Sequence, residues 1–256
     1  MTEPGFRTIV VEELAAGILQ VRLNRPDRLN AIDDLMRDEL VGLLRSLPER
    51  IETGSLRVLV VTGTGRAFCA GGDVKEFPRI FGGPHSEAER QMLAFQELTK
   101  LLARLEIPVL AAVNGLAVGG GFVLACACDL RVAGETSSFC LSFVARGLGL
   151  DLGGSYFVSR LVGLGRALRL ALTGETIDAA RAEEIGLVQW VVPDSEVAAR
   201  TLELAQELAK YSRSALWAIK RSVYTGLGSL DEALQLEAQL QAGRLAAMGG
   251  SARTIR

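Results

Sequence analysis

A β-branched strand runs into a glycine-rich turn and then a helix, and the chain does this more than once. L-R-V-L-V-V-T at Leu56–Thr62 leads to Arg66-Ala67-Phe68-Cys69-Ala70-Gly71-Gly72-Asp73-Val74-Lys75. P-V-L-A-A-V at Pro108–Val113 leads to N-G-L-A-V-G-G-G at Asn114–Gly121 and then to the helical run F-V-L-A-C-A. Another strand is expected at Asp129–Ala133. Short apolar runs bounded by turn residues read as buried strands. Strands that alternate with helices imply an α/β architecture.

The flanking segments fit this plan. Thr8–Glu12 and Ile18–Leu23 read as two strands joined at Ala15-Ala16-Gly17. Asp33 or Asp34 is placed to cap a helix carrying Leu35, Met36, Leu40, Leu43 and Leu44. A long helix is expected at about Glu87–Leu105, with Met92, Phe95, Leu98, Leu101, Leu102 and Leu105 on one stripe. From Ser195 the chain changes character to three helices near 195–210, 213–224 and 230–247. Leu230, Leu234, Leu236 and Leu240 give the last one an amphipathic look. The expected organisation is therefore a core at 1–194 and a helical region at 195–256, packed on that core or on a neighbouring subunit.

Composition removes several function classes. Lys and Arg number 28 against 30 Asp and Glu. A nucleic-acid partner would leave a basic footprint that is absent here. No apolar run reaches the roughly 18 residues of a membrane span, so no membrane insertion is expected. The opening M-T-E-P-G-F-R-T-I-V has no basic segment leading into an apolar one. No secretory leader is expected, and a cytoplasmic protein is. Cys69, Cys126, Cys128 and Cys140 lack metal or redox spacing and read as buried thiols. The single histidine, His85, sits in the loop-like stretch F-G-G-P-H-S and reads as solvated. Hydrolase triads and multi-histidine metal sites are therefore disfavoured, and neither a metal nor a prosthetic group is called for.

The glycine turns carry the chemistry. Without a Cβ, a ligand can approach backbone N–H groups closely. At a helix start those groups are unpaired and lie at the positive end of the dipole. Two such turns facing each other would stabilise an anionic oxygen forming on a carbonyl; the plain alternative is that the glycines only turn the chain. Neither turn matches G-x-G-x-x-G or G-x-x-x-x-G-K-[ST], so nucleotide readings are weak.

F-C-A-G-G-D-V-K followed by P-V-L-A-A-V-N-G-L-A-V-G-G-G-F-V-L-A-C-A-C-D resembles the enoyl-CoA hydratase/isomerase (crotonase) superfamily. N-R-P-D-R-L-N-A at Asn24–Ala31 and L-T-G-E-T-I-D-A-A-R-A-E-E-I-G-L-V at Leu172–Val188 extend the resemblance over about Val10 to Lys220. It implies a crotonase-like spiral of ββα units with a helical C-terminal trimerisation region, in homotrimers or hexamers. It also implies acyl-CoA thioesters as ligands, with coenzyme A entering as part of the substrate. By the same resemblance the oxyanion-hole amides fall on Gly72 and Gly120. Arg28, Leu29, Ala31 and Ala70 would face the adenine, and Lys75 is a candidate for a CoA phosphate, though Arg28 and Lys75 also read as plain surface charges.

The resemblance breaks where hydratases carry two glutamates. Those places hold Val123 and Phe143, which cannot move a proton, and general acid–base help is worth roughly 10²–10⁴-fold. One carboxylate remains, Asp151 in R-G-L-G-L-D-L-G-G-S. This segment resembles the one that carries a catalytic aspartate in dienoyl-CoA isomerases, phenylacetate-pathway ring isomerases and haloaroyl-CoA dehalogenases. The alternative role for Asp151 is a cap for a helix starting near Leu152. Dehalogenases place a tryptophan where Phe143 stands and a histidine where Gln96 stands, so that activity is disfavoured. The expectation is an enoyl-CoA or ring-type acyl-CoA isomerase with Asp151 as single acid/base. An atypical hydratase and a non-catalytic acyl-CoA binding protein are the alternatives.

Overall fold

In the computed structural model, residues 5–75, 84–226 and 228–248 are described. The strands β1 (Ile9–Ala15) and β2 (Ile18–Leu23) form an antiparallel hairpin, with Ile9 opposite Leu23 and Ala15 opposite Ile18. Gly17 takes φ +77° at its turn, a conformation that only glycine adopts without cost. Strands β3 (Val58–Gly63), β5 (Val109–Val113), β7 (Leu130–Gly134) and β10 (Trp190–Val192) then add in parallel, giving the order β1-β2-β3-β5-β7-β10. A second, smaller sheet has the order β4-β6-β8-β9, from Ala67–Cys69, Leu116–Val118, Ser138–Cys140 and Thr176–Asp178.

The chain steps between the sheets through very short turns. Thr64-Gly65-Arg66 joins β3 to β4, Asn114-Gly115 joins β5 to β6, and Glu135-Thr136-Ser137 joins β7 to β8. A helix follows each pair, so the architecture is the expected spiral of ββα units. Helix α1 is Asp34–Glu52, α2 is His85–Arg104 and α3 is Gly120–Ala127. Helices α4 (Gly154–Val162) and α5 (Leu164–Thr173) follow β8. Of the two possible caps for α1, it is Asp33 whose side chain accepts from Met36 N. His85 is exposed, as expected, but it opens α2 rather than lying in a loop.

Strand periodicity explains why β3 and β5 are apolar without interruption. Leu59 and Val61, with Val109, Ala111 and Val113, face the main core under α1–α3. The alternate residues Val58, Val60, Leu110 and Ala112 face a second core. A strand buried on both sides must be hydrophobic at every position. The second core is closed by α7 (Val197–Ala209), which lays Val197, Leu204 and Ala205 against that sheet face. Each large aliphatic side chain buried this way contributes about 1.5–3 kcal/mol relative to exposure. Along the chain, α6 (Ala179–Glu184), capped by Asp178, comes between α5 and α7.

Helix α8 (Arg213–Thr225) is tied to the core by Lys220, whose Nζ lies 2.8 Å from Asp129 Oδ2 and 3.1 Å from Ile107 O. Tyr224 donates to Asp129 Oδ1, and Val109 N donates to the Oδ2 that Lys220 also meets. In helix α9 (Leu230–Met248) none of residues 230–244 is fully buried, and Leu230 and Leu234 are 73% and 54% exposed on the single chain. Its apolar residues are distributed around the helix rather than gathered on one packed face. All four cysteines are buried free thiols. Among the described residues, no helix is long and apolar enough to cross a membrane.

Candidate active site

The N-R-P-D-R-L-N-A segment is held by Asn30, which is fully buried. Its Oδ1 accepts from Arg25 N at 3.0 Å, and its Nδ2 donates to Thr64 O and Ala67 O at 3.0 and 2.8 Å. Leu29 and Asn30 both take left-handed backbone angles, with φ 51° and 55°. The bend lets the segment run beside the first glycine turn. Ala70 N donates to Leu29 O (3.0 Å), Ile32 N to Gly71 O (2.7 Å) and Asp73 N to Ile32 O (2.9 Å). Arg28, Leu29, Ala31 and Ala70 are thereby brought to one place. Arg28 is exposed, Leu29 and Ala70 are half-buried, and Ala31 is buried. Lys75 is exposed and follows the turn, its backbone N bonded to Asp73 Oδ1.

Arg25 organises this corner, and sequence reasoning missed it. Its guanidinium donates to Ala31 O and lies 2.9 Å from Asp73 Oδ2 and 3.1 Å from Asp33 Oδ2. One side chain thus joins the start of α1, the strand-like segment at Ala31 and the residue after Gly72. Burial alone would raise the Asp73 carboxyl. The Lys75 backbone N–H and the Arg25 guanidinium outweigh it and hold the group below its ordinary range. The available signal was an arginine beside a proline turn with two aspartates downstream, but Asp73 lies 48 residues away in sequence.

The two glycine turns lie back to back. Gly71 has φ +89°, and a Cβ there would stand 2.7 Å from Val118 O and 3.0 Å from Gly120 N. A Cβ on Gly120 would stand 2.7 Å from Leu152 Cδ1 and 3.7 Å from Gly72 N. Only glycine permits this approach, and it brings Gly72 and Gly120 together. Of the amides flanking Gly72, Asp73 N donates to Ile32 O and Gly71 N to Cys69 Sγ. The N–H of Gly72 itself donates in none of the hydrogen bonds among the described residues, nor does that of Gly120. Gly120 opens α3, whose residues are all buried and whose N-terminus has no side-chain cap. Those amides carry the positive end of the helix dipole. Cys69 lies beneath the turn, donates to Asn30 O, and has its thiol pushed up to about 12 by burial; it is a structural thiol.

Asp151 precedes Leu152, whose Cδ1 lies against Gly120, and it does not cap a helix. Helix α4 begins at Gly154 with Gly153 as its cap, because Leu152 (φ 57°) and Gly153 (φ 87°) are both left-handed and delay the first helical turn. Left-handed geometry costs a leucine roughly 1–2 kcal/mol. The carboxylate Oδ1 accepts instead from Leu152 N at 2.6 Å and from Gln96 Nε2 on α2 at 2.9 Å. Val123 is fully buried and packs on Gly154, where a Cβ would lie 3.1 Å from Val123 Cγ2. Phe143 is half-buried against the main core, its carbonyl accepting from Arg146 N and Leu148 N. These two positions supply bulk and no proton.

Comparison with known proteins agrees with this construction. The family model described as enoyl-CoA hydratase/isomerase matches residues 13–246. The chain is 37% identical over 250 residues to the probable enoyl-CoA hydratase EchA12 of Mycobacterium tuberculosis, covering 93% of this chain and 84% of that one. It is 36% identical over 241 residues to the 1,2-epoxyphenylacetyl-CoA isomerase of Escherichia coli, covering 93% and 91%. A putative enoyl-CoA hydratase from Thermobifida fusca, solved in complex with acetoacetyl-CoA, superposes with a TM-score of 0.85 at 32% identity, covering 94% and 95%. With the fold, the paired glycine turns and these matches in agreement, the chain belongs to the enoyl-CoA hydratase/isomerase family.

Proposed function

We propose that this protein is an acyl-CoA isomerase that moves a double bond, or rearranges a ring, beside a CoA thioester, with Asp151 as its single acid/base. The observation that carries the reading is a carboxylate held by Gln96 next to Leu152, whose side chain lies against Gly120, while Val123 and Phe143 occupy the two places where the family resemblance puts the hydratase glutamates. In this reading the thioester oxygen sits between the amides of Gly72 and Gly120. Their donation matters most when the oxygen becomes an enolate, and losing one such donor typically costs about 2.7–4 kcal/mol of barrier. A carbon–hydrogen bond breaks, the proton passes to Asp151, and the electron pair spreads into the enolate. Asp151, its carboxyl proton exchanged with solvent during the life of the enolate, returns a proton at another carbon, so one proton is lost and one gained and the product has the formula of the substrate. Val123, Phe143 and Leu152 line the approach with apolar atoms and disfavour entry of a water.

Arg28, Leu29, Ala31 and Ala70 are proposed to face the adenine of the CoA, and Lys75 to meet a phosphate. Their assembly along the edge of the first glycine turn supports this assignment, as does the acetoacetyl-CoA held by the Thermobifida relative. The exposed Leu230 and Leu234 on α9 support a role for the helical region in a homotrimer or hexamer. The relatives named as probable hydratases favour a second reading, hydration by another route.

The experiment is turnover of 2-enoyl-, 3-enoyl- and aryl-CoA thioesters in heavy water, followed by mass spectrometry and chromatography. Isomerisation gives a shifted double bond or rearranged ring with deuterium incorporated. A product heavier by one water would establish hydration instead. Unlabelled thioesters that nonetheless bind in equilibrium dialysis would replace the enzyme reading with that of a binding protein.

A further inference from the structure

Helix α2 reaches the Asp151–Leu152 segment with two side chains from one turn. Gln96 Nε2 donates to Asp151 Oδ1 at 2.9 Å, and Thr99 Oγ1 donates to Leu152 O at 2.8 Å. Three residues apart, they lie on the same face of the helix. An ionised carboxylate only accepts, so the amide nitrogen of Gln96 is the atom that must face it. Leu152 N occupies a second position on the same oxygen. Oδ1 is therefore satisfied twice, while Oδ2 enters none of the hydrogen bonds among the described residues.

A carboxylate on a free χ2 torsion presents either oxygen over a broad range of angles. The Gln96 bond removes that freedom and leaves Oδ2 as the oxygen that acts. Thr99 does the corresponding work on the backbone. It is 3% exposed, and its bond holds the carbonyl of Leu152, the residue in the left-handed conformation whose side chain covers Gly120. The same helical turn thus touches the carboxylate on one side and, through Leu152, the glycine cradle on the other.

The geometry points to Gln96 and Thr99 as positioning residues: Gln96 presents Oδ2 of Asp151 to the substrate, and Thr99 fixes Leu152 over Gly120, setting the distance from acid/base to oxyanion cradle. The inference rests on Asp151 being the acid/base. Misplacing a reacting group by about 1 Å can cost on the order of 10²-fold in rate.

The test measures kcat, KM and acyl-CoA affinity for Q96M, T99V and T99S, with D151N alongside, on the thioester the native enzyme turns over. Gln96 is exposed, so Q96M keeps the fold even if T99V does not. Q96M and T99V are expected to lower kcat by about tenfold or more with KM within about twofold, and T99S, which keeps the hydroxyl, to restore turnover. If D151N abolishes turnover while Q96M and T99V retain native kcat, the positioning role is overturned and the acid/base stands. If KM rises in step with the loss of kcat, or T99S fails to restore it, the role is only structural and the inference is likewise overturned. If D151N turns over normally, the proposed acid/base fails first and the role of Gln96 falls with it.

Discussion

The two sides of the candidate site are built from different material. The cradle of Gly71, Gly72 and Gly120 is backbone, fixed by a ladder to Ile32 and by close approaches that tolerate no side chain. The opposing side is made of side chains: Asp151 half-buried, Gln96 exposed, Val123 and Phe143 apolar. A backbone cradle polarises a carbonyl whatever chain the acyl group carries. The side-chain wall determines what happens next, because it alone supplies or withholds a proton. In the proposed function the cradle serves any acyl group, and the reaction is selected at positions 123, 143 and 151.

The sharpest way to break that division is D151N. It should lower turnover by about 10²–10⁴-fold while acyl-CoA affinity, measured by equilibrium dialysis, stays within a few-fold. Loss of affinity in that variant would mean that the wall also binds, and the comparison would fail. Next in size is R25M, which leaves Asp73 and Asp33 as poorly solvated charges without their partner. It should cost about 3–5 kcal/mol in denaturant melts and impair the cradle without touching Asp151. G71A places a Cβ against Val118 O in a left-handed conformation and should cost about 1–3 kcal/mol of stability from strain, with a parallel loss of kcat.

A smaller effect lies in the acid limb of stability. Asp73 is held below its ordinary range, so the stability gained from its ionisation is complete above the unfolded carboxyl value of about 3.9 and is lost as pH falls through the lower folded value. D73N should flatten the fall in Tm below about pH 4, and an unchanged acid limb would remove Asp73 from the account. Smallest is K75A, which should raise KM for CoA thioesters by only about two- to fivefold because the side chain is exposed.

Much of the fold was legible because its cause is local. β3 and β5 announce themselves as unbroken apolar runs, and both glycine turns were visible because the backbone allows nothing else there. The start of α4 was not legible. A leucine in the left-handed region carries no composition signal, and Asp151 before it looks like an ordinary cap. Arg25 and Gln96 were missed as partners of Asp73 and Asp151 for a related reason. Their contacts span 48 and 55 residues, and only the closed spiral brings them together. In α9 the leucine spacing suggested an amphipathic helix, yet its apolar residues lie around the whole helix, because the alanines and leucines between those positions fill the other faces.

The closing of the second core by α7 has a consequence for biosynthesis. The sheet face formed by Val58, Val60, Leu110, Ala112 and Val132 is complete in sequence well before Val197–Ala209 emerges from the ribosome. Until then a broad apolar surface of parallel strands is bare, and such surfaces invite association with other nascent chains. Release of a fully protected protein is therefore timed by the arrival of one late helix, and a truncation that removes it should yield inclusion bodies rather than a smaller soluble core.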